Sequence, residues 1–521
     1  MEPKDRPVPR KSLGSGSSIH YGSFVNSLSS LTPKAEEKEK PAISPRRAYV
    51  AVAVLCYVNL LNYTERYTIA GVLPNIQKFF SISDSTAALI QTVFICSFLL
   101  LAPLFGYLGD RYNRKYIMIG GLGVWLVTAL GSSFVTESYF WLLMLLRAMV
   151  GIGEASYSTI APTIIGDLFV GNQRSAMICV FYLFIPVGSG LGYITGAGVA
   201  TLTGDWRWAL TITPILGVVG LFLLVFFCPN PPRGAAETHG KGVAGQSSYK
   251  EDVKYLLKNK SYVWSSLGVT ATAFLTGALA FWMPTFLSRA QVSQGIREPC
   301  VQEPCNPIDR CSIPRHSHHG LQNGNGFNKV VCLCSLYSYI FGAVTVVTGI
   351  VGACLGSGLS RRFRDKVPNA DPLICAVGLM GSAPCLFITI FVASASIPAT
   401  YVFIFFGELL ISLNWAVLAD ILLISVLHLL GDAGSPYLVG AVSDAISRSK
   451  SATPEWSFRS LKYSLLICPF VGILGGLFFF ITSLYIAEDR KVAAQLVEGT
   501  PSPQQGPASV PTMEMSTEGI K

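Results

Sequence analysis

From Ala48 onward the chain is written as about a dozen runs of roughly 20 apolar residues, separated by short polar turns. A helix of that length crosses the hydrocarbon of a bilayer. The expected fold is therefore all-α and embedded in the membrane. Composition agrees: 51% of the 521 residues are hydrophobic and 13% are charged, against about a quarter charged in soluble domains. The formal charge of +9 does not point to nucleic acid, because the basic residues sit in loops between apolar runs. Most of the 13 cysteines fall inside spans, where they act as small apolar residues. No cleavable signal peptide is expected, since the polar stretch before Ala48 has the wrong length and composition.

Residues 1–46 are rich in Ser, Pro, Lys and Glu and are expected to form a disordered cytosolic tail. A six-helix bundle is expected over 47–228, a cytosolic linker over 229–261, and a second six-helix bundle over 262–487. The second bundle carries an extracellular loop at 288–337, and 488–521 reads as another disordered cytosolic tail. The spans fall near 48–73, 88–109, 116–135, 140–166, 175–199, 207–228, 262–287, 338–359, 372–394, 399–422, 424–446 and 462–487. Arg46, Arg47, Arg111, Arg114, Lys115, Arg174, the Lys-rich stretch 241–260 and Arg361–Lys366 all fall on one side in this count. The positive-inside rule makes that side, and both termini, cytosolic.

The halves echo each other. Gly153-Glu154 in the fourth span has a counterpart in Gly407-Glu408 of the tenth, and Asp167 has one in Asp420. Gly-Ser-Gly-Leu-Gly-Tyr at 188–193 echoes Gly-Asp-Ala-Gly-Ser-Pro-Tyr at 431–437. A six-plus-six repeat is the layout of two-bundle carriers, whose site lies between the halves. One stretch breaks the pattern. Asp167 to Gly196 is 29 residues, whereas Asp420 to Gly440 is 20, and 421–430 holds no Gly, Pro or charge to make a turn. Either a segment is missing there or spans ten and eleven are distorted.

Glu65, Arg66, Arg147 and Glu154 are ionisable residues inside apolar runs. A charge at the bilayer centre costs roughly 2.5 kcal/mol or more, so such residues face a protein-lined or watery interior. They are the expected place for handling a charged substrate or a proton. Gly106-Tyr-Leu-Gly-Asp110-Arg111-Tyr-Asn-Arg114-Lys115 follows the second span. Its glycines permit a close helix turn, and its acid and bases can form an interhelical charge network. A plain cytosolic anchor needs neither the glycines nor Asp110.

This decapeptide resembles signature A of the major facilitator superfamily, and the resemblance covers 48–487. Asn62–Val72, Gly151–Thr163, Ile185–Tyr193 and Gly431–Tyr437 further resemble the spinster family of lipid transporters. That likeness implies secondary-active transport of sphingolipids or lysolipids, such as sphingosine-1-phosphate, by alternating access. It implies a monomer with a lipid substrate, no enzyme activity, no cofactor, and residence in the plasma or an endolysosomal membrane. It implies that Arg66 engages an anionic headgroup and that Glu65, Arg147 and Glu154 serve proton coupling or gating. The common form of the first-span motif is Asp-Arg, and Glu65 keeps the acidity on a longer side chain. Thr276, Asn414 and Trp415 lie in spans that face the central cavity in this superfamily, where they would hydrogen-bond substrate or bridge helices. Asp110, Arg111 and Arg114 would form a conformational latch, with Asp110 meeting the start of the eleventh helix. That start is where the shortened segment falls.

Residues i and i+1 point to different sides of a helix, so Glu65 and Arg66 need not pair, and an Arg66–Glu154 pair between helices is expected. Substrate phosphate would compete with Glu154 for the guanidinium; a purely structural ion pair is the alternative. The loop between spans seven and eight holds Cys300, Cys305, Cys311, Cys332 and Cys334 with His316, His318 and His319. Their spacings fit no standard zinc site, and a Cys300–Cys305 disulfide is the favoured reading. Asn259-Lys-Ser261 matches a glycosylation sequon on the cytosolic side, and Tyr21–Phe24 has the form of a sorting signal. An ion channel, a non-transporting scaffold and a proton-coupled carrier of another small organic anion are the competing functions.

Overall fold

Apolar runs become helices here because they carry few breakers and end at recognisable caps. The computed structural model describes residues 43–233, 257–295, 326–364, 366–414, 429–448 and 453–498. Six helices make the first bundle: α1 (Pro45–Phe80), α2 (Asp84–Arg111), α3 (Arg114–Ser132), α4 (Phe140–Leu168), α5 (Gly171–Thr203) and α6 (Arg207–Phe227). The second holds α7 (Lys260–Ser293), α8 (Gly326–Arg364), α9 (Ala370–Val392), α10 (Ile397–Ser412), α11 (Gly434–Ser447) and a last span split into α12 (Pro454–Ser464) and α13 (Ile467–Glu498). A π-helical turn, Leu429–Ala433, leads into α11. Among the described residues, nine helices are long and apolar enough to cross a membrane.

The side-chain caps are written in the sequence. Ser83 accepts from the amide of Thr86 to start α2, Asn113 from Lys115 to start α3, and Thr453 from Trp456 to start α12. Such caps satisfy amides that a helix leaves without partners. Asn259, the first residue of the apparent sequon, caps α7 in the same way. Several ends differ from the expected spans. Helix α8 begins at Gly326, inside the loop expected over 288–337, and α7 runs on to Ser293. Helix α13 continues to Glu498 instead of giving way to a tail after 487. Helix α10 stops at Ser412, short of the expected 422. Residues 415–428, which hold the shortened connection, lie outside the described residues.

The two bundles repeat one packing scheme. Helix α1 packs on α5 and α6, α2 on α4, and α3 on α4 and α6. Correspondingly, α7 packs on α11 and α13, α8 on α10, and α9 on α10 and α13. Between the bundles, α5 meets α8 and α2 meets α11, two contacts that the repeat exchanges. Small residues make them close. A Cβ on Gly190 of α5 would sit 2.3 Å from the Gly342 carbonyl oxygen of α8. A Cβ on Gly440 of α11 would sit 2.7 Å from the Asp84 carbonyl oxygen of α2. Backbones approach this tightly in membranes only where side chains are absent or small.

A polar lock joins the bundles at the end opposite the basic Arg111–Lys115 turn. Asp84, at the start of α2, pairs with Arg289 of α7 at 2.5 Å and accepts from Ser443 of α11 at 2.6 Å. Gln77 donates to Asp84 at 2.8 Å. Asp444 in turn accepts from the Asp84 and Ser85 amides at 3.0 and 2.9 Å, capping α2 from the other bundle. A carboxylate there also meets the positive end of the helix dipole. Removing one partner of a buried pair costs about 3–5 kcal/mol, so Arg289→Ala should open this end. With exposed cysteines replaced, a probe cysteine at Ala88, which is buried in α2, should label faster with an impermeant maleimide in Arg289→Ala. Equal labelling in the two backgrounds would show that the lock does not hold the end shut.

Candidate functional site

Helix α1 carries Glu65 and Arg66 side by side, and its geometry sends them to different partners. Glu65 turns into its own bundle, where it forms a buried ion pair with Arg147 of α4. Arg66 turns toward the other bundle and meets Asp432, with Nη2 to Oδ2 at 2.7 Å. The Arg66–Glu154 pair expected from the sequence is therefore replaced by two others. The reason is the step of about 100° between adjacent residues of a helix, together with a closer carboxylate supplied by the π turn. Phe94 of α2 lies between the two guanidinium groups, its ring centroid 5.3 Å from Arg66 and 5.4 Å from Arg147. Cations favour an aromatic face at that range.

Glu154 is left over. It stands two turns beyond Arg147 on α4, is 1% exposed, and its Oε2 has no hydrogen-bond partner. Arg66, Arg147, Glu65 and Asp432 all act on it through space, so the five charges form one cluster. Buried polar groups without partners are uncommon and call for a reason. The Nε of Arg66 is in the same condition: buried and unpartnered. Aromatic rings surround the cluster. Tyr67 sits 5.8 Å from the Arg66 guanidinium, packs edge-on against Tyr193, and Tyr193 packs against Phe341 of α8. The Tyr193 hydroxyl donates to the Ala280 carbonyl of α7 at 2.7 Å, a further bond between bundles.

The other expected site residues divide. Thr276 is on α7, its hydroxyl donating to the Thr272 carbonyl one turn back at 2.9 Å. Its neighbour Gly277 packs directly on Asp432. Asn414 is fully buried, with its Oδ1 against Gly378 of α9, inside the second bundle. Trp415, Cys300 and Cys305 lie outside the described residues. Of the expected latch, Asp110 and Arg111 are exposed, with Arg111 over the Tyr107 ring at 4.6 Å. Arg114 is buried, pairs with Asp167 at 2.6 Å and donates to Thr163 at 3.3 Å. The stretch expected to receive Asp110 is again outside the described residues.

Two carboxylates were not singled out for a site role. Asp432 was visible as the acid of the 431–437 motif, but nothing local ties it to Arg66. Glu408 was visible only as the repeat partner of Glu154. Its Oε2 accepts from Thr348 of α8 at 3.0 Å, and it acts through space on Tyr193, as Arg66 does from the other bundle.

Two bundles meeting around a charge cluster at mid-span define a membrane transporter, not an enzyme, and comparison with known proteins agrees. Residues 55–426 match the Major Facilitator Superfamily. The chain is 60% identical to protein spinster homolog 3 of Danio rerio, covering 96% of this chain and 97% of that protein. It is 49% identical to protein spinster homolog 1 of Homo sapiens, covering 96% and 92%. A crystal structure of a bacterial homolog to human lysosomal transporter, spinster, inward-facing and unoccupied, superposes with a TM-score of 0.66 at 18% identity, covering 86% of this chain and 99% of that one. The chain belongs to the spinster family of the major facilitator superfamily.

The Glu65–Arg147 pair sets a stability test. Arg147→Ala leaves a bare carboxylate and should cost about 3–5 kcal/mol, whereas replacing both partners by apolar residues of similar size costs far less. Thermal melting in detergent should therefore show Glu65→Leu/Arg147→Met melting above Arg147→Ala. A double variant no better than the single would mean that the pair is not isolated from other partners.

Proposed function

We propose that this transporter carries sphingolipids or lysolipids with a phosphate-bearing head, and that it does so by alternating access as a monomer. The observation that supports this best is Arg66. It stands at the boundary between bundles, held at one nitrogen by Asp432 and with Nε buried and unpartnered. A guanidinium presents its donors in a fork that suits phosphate. The aromatic surface of Tyr67, Tyr193 and Phe341 beside it suits an acyl or sphingoid chain. Glu408, part-buried in the second bundle and bonded to Thr348, would supply an acceptor for the amine of a zwitterionic head. In this reading the Asp84–Arg289 lock closes the extracellular face, both termini are cytosolic, and the plasma or an endolysosomal membrane is the site of action.

Glu154 would handle the proton. The cluster sets three carboxylates, Glu65, Glu154 and Asp432, against two arginines. A phosphate entering it adds negative charge to a site already in excess of it, and an isolated carboxylate can take its neutralising charge from a proton. Coupling and binding would thus share one electrostatic balance.

Purified protein in liposomes should take up labelled sphingosine-1-phosphate or a lysophospholipid and leave a sugar phosphate outside. Arg66→Gln should cut that uptake at least tenfold. Uptake of the sugar phosphate in preference to both lipids would instead make this a carrier of small organic anions. Glu154→Gln should transport at a rate that no longer changes with an imposed pH gradient, and a preserved gradient response would remove Glu154 from coupling.

A further inference from the structure

We infer that Asp432 is a built-in stand-in for the substrate headgroup: it occupies Arg66 when the site is empty, and an incoming phosphate must displace it. The inference rests on the reading that Arg66 receives the headgroup. Its evidence is the arrangement around Asp432 itself.

Asp432 belongs to the second bundle and Arg66 to the first, so their 2.7 Å contact ties the bundles together at mid-span. The tie is incomplete, because it uses Nη2 and leaves Nε buried without a partner. A phosphate, with three terminal oxygens, can serve both donors, which a carboxylate in this position does not. An anion that takes Asp432's place keeps the guanidinium directly paired, so the exchange favours anionic heads over neutral lipids.

The chain around Asp432 is built to hold it there. It lies in the π turn Leu429–Ala433, a helical irregularity found mostly at functional sites. Gly277 of α7 makes the room: a Cβ there would lie 2.6 Å from Asp432 Oδ1 and 2.8 Å from its carbonyl oxygen. Thr92 of α2 fixes the next residue by donating to the Ala433 carbonyl at 2.8 Å. Both Asp432 and the adjacent Thr92–Ala433 bond cross the bundle boundary. Displacing the carboxylate therefore loosens one joint between the halves at the moment the headgroup binds.

The test is equilibrium binding of labelled sphingosine-1-phosphate to the full chain in nanodiscs. Asp432→Asn removes the competing charge at constant shape and should bind the lipid at least fivefold more tightly than the parent protein. Sphingosine, which lacks the phosphate, should bind both equally. Asp432→Ser serves the same purpose if the amide variant misfolds. If the parent protein binds the phosphate lipid and Arg66→Gln abolishes it, but both Asp432 variants bind equally or more weakly, then Asp432 merely positions Arg66 and the inference fails alone. If Arg66→Gln binds as the parent does, the headgroup reading fails and takes this inference with it.

Discussion

A charge sunk among apolar helices must find its compensation inside the protein, and this requirement organises the centre of the molecule. Five ionisable side chains meet where hydrocarbon surrounds the bundles. Two of the pairings are direct and differ in kind. Glu65–Arg147 is fully enclosed within one bundle, so it acts as part of that bundle's framework. Arg66–Asp432 is partly exposed and crosses the boundary, so it is the pair that a change in bundle arrangement must break. A buried pair is a weak source of net stability, and Arg66–Asp432 is only one joint among several between the bundles. Shape supplies the rest: glycines on α5, α8 and α11 let backbones meet across the interface.

Those close contacts have a direction. Gly190 against Gly342 and Gly440 against Asp84 lie from the middle of the spans toward the face that carries Asp84, Arg289 and Asp444. The polar lock completes the seal there, with a carboxylate from one bundle capping a helix of the other. Shape and charge thus agree on the same closed face. Helix packing alone would leave that face greasy and slow to part. Ion pairs and capping bonds can instead be exchanged for water, which makes the seal reversible.

Much of the architecture was legible before any coordinates. Run length gave the spans, and the Glu154/Glu408 echo gave the two-bundle plan. The ionisable residues of α1 and α4 announced themselves by being where charge is expensive. What sequence spacing could not supply was partnership. Glu65 and Arg147 are paired across 82 positions and Arg66 and Asp432 across 366, distances that no helical period bridges. The lock escaped for the same reason, since Asp84 and Arg289 are paired across 205 positions. Membership of a cavity-facing span does not say which side of the helix a residue occupies, and Asn414 places its Oδ1 against Gly378 of α9.

The meeting of Arg66 with Asp432 follows from helix arithmetic once the π turn is known. Arg66 is 14 residues before the end of α1 at Phe80, and Asp432 is 15 before the end of α11 at Ser447. At 1.5 Å per residue these are depths of roughly 21 and 22 Å from the same face. Glu154, 14 residues after the start of α4 at Phe140, comes to the same level of roughly 21 Å. The π turn and α11 run on as one helical stretch over 429–447. At roughly 22 Å from that face, the π turn sits within a hydrocarbon core of about 30 Å and not at its edge. The level of the acidic turn is thus set by its spacing from the end of α11, as the level of Arg66 is set by its spacing from the end of α1.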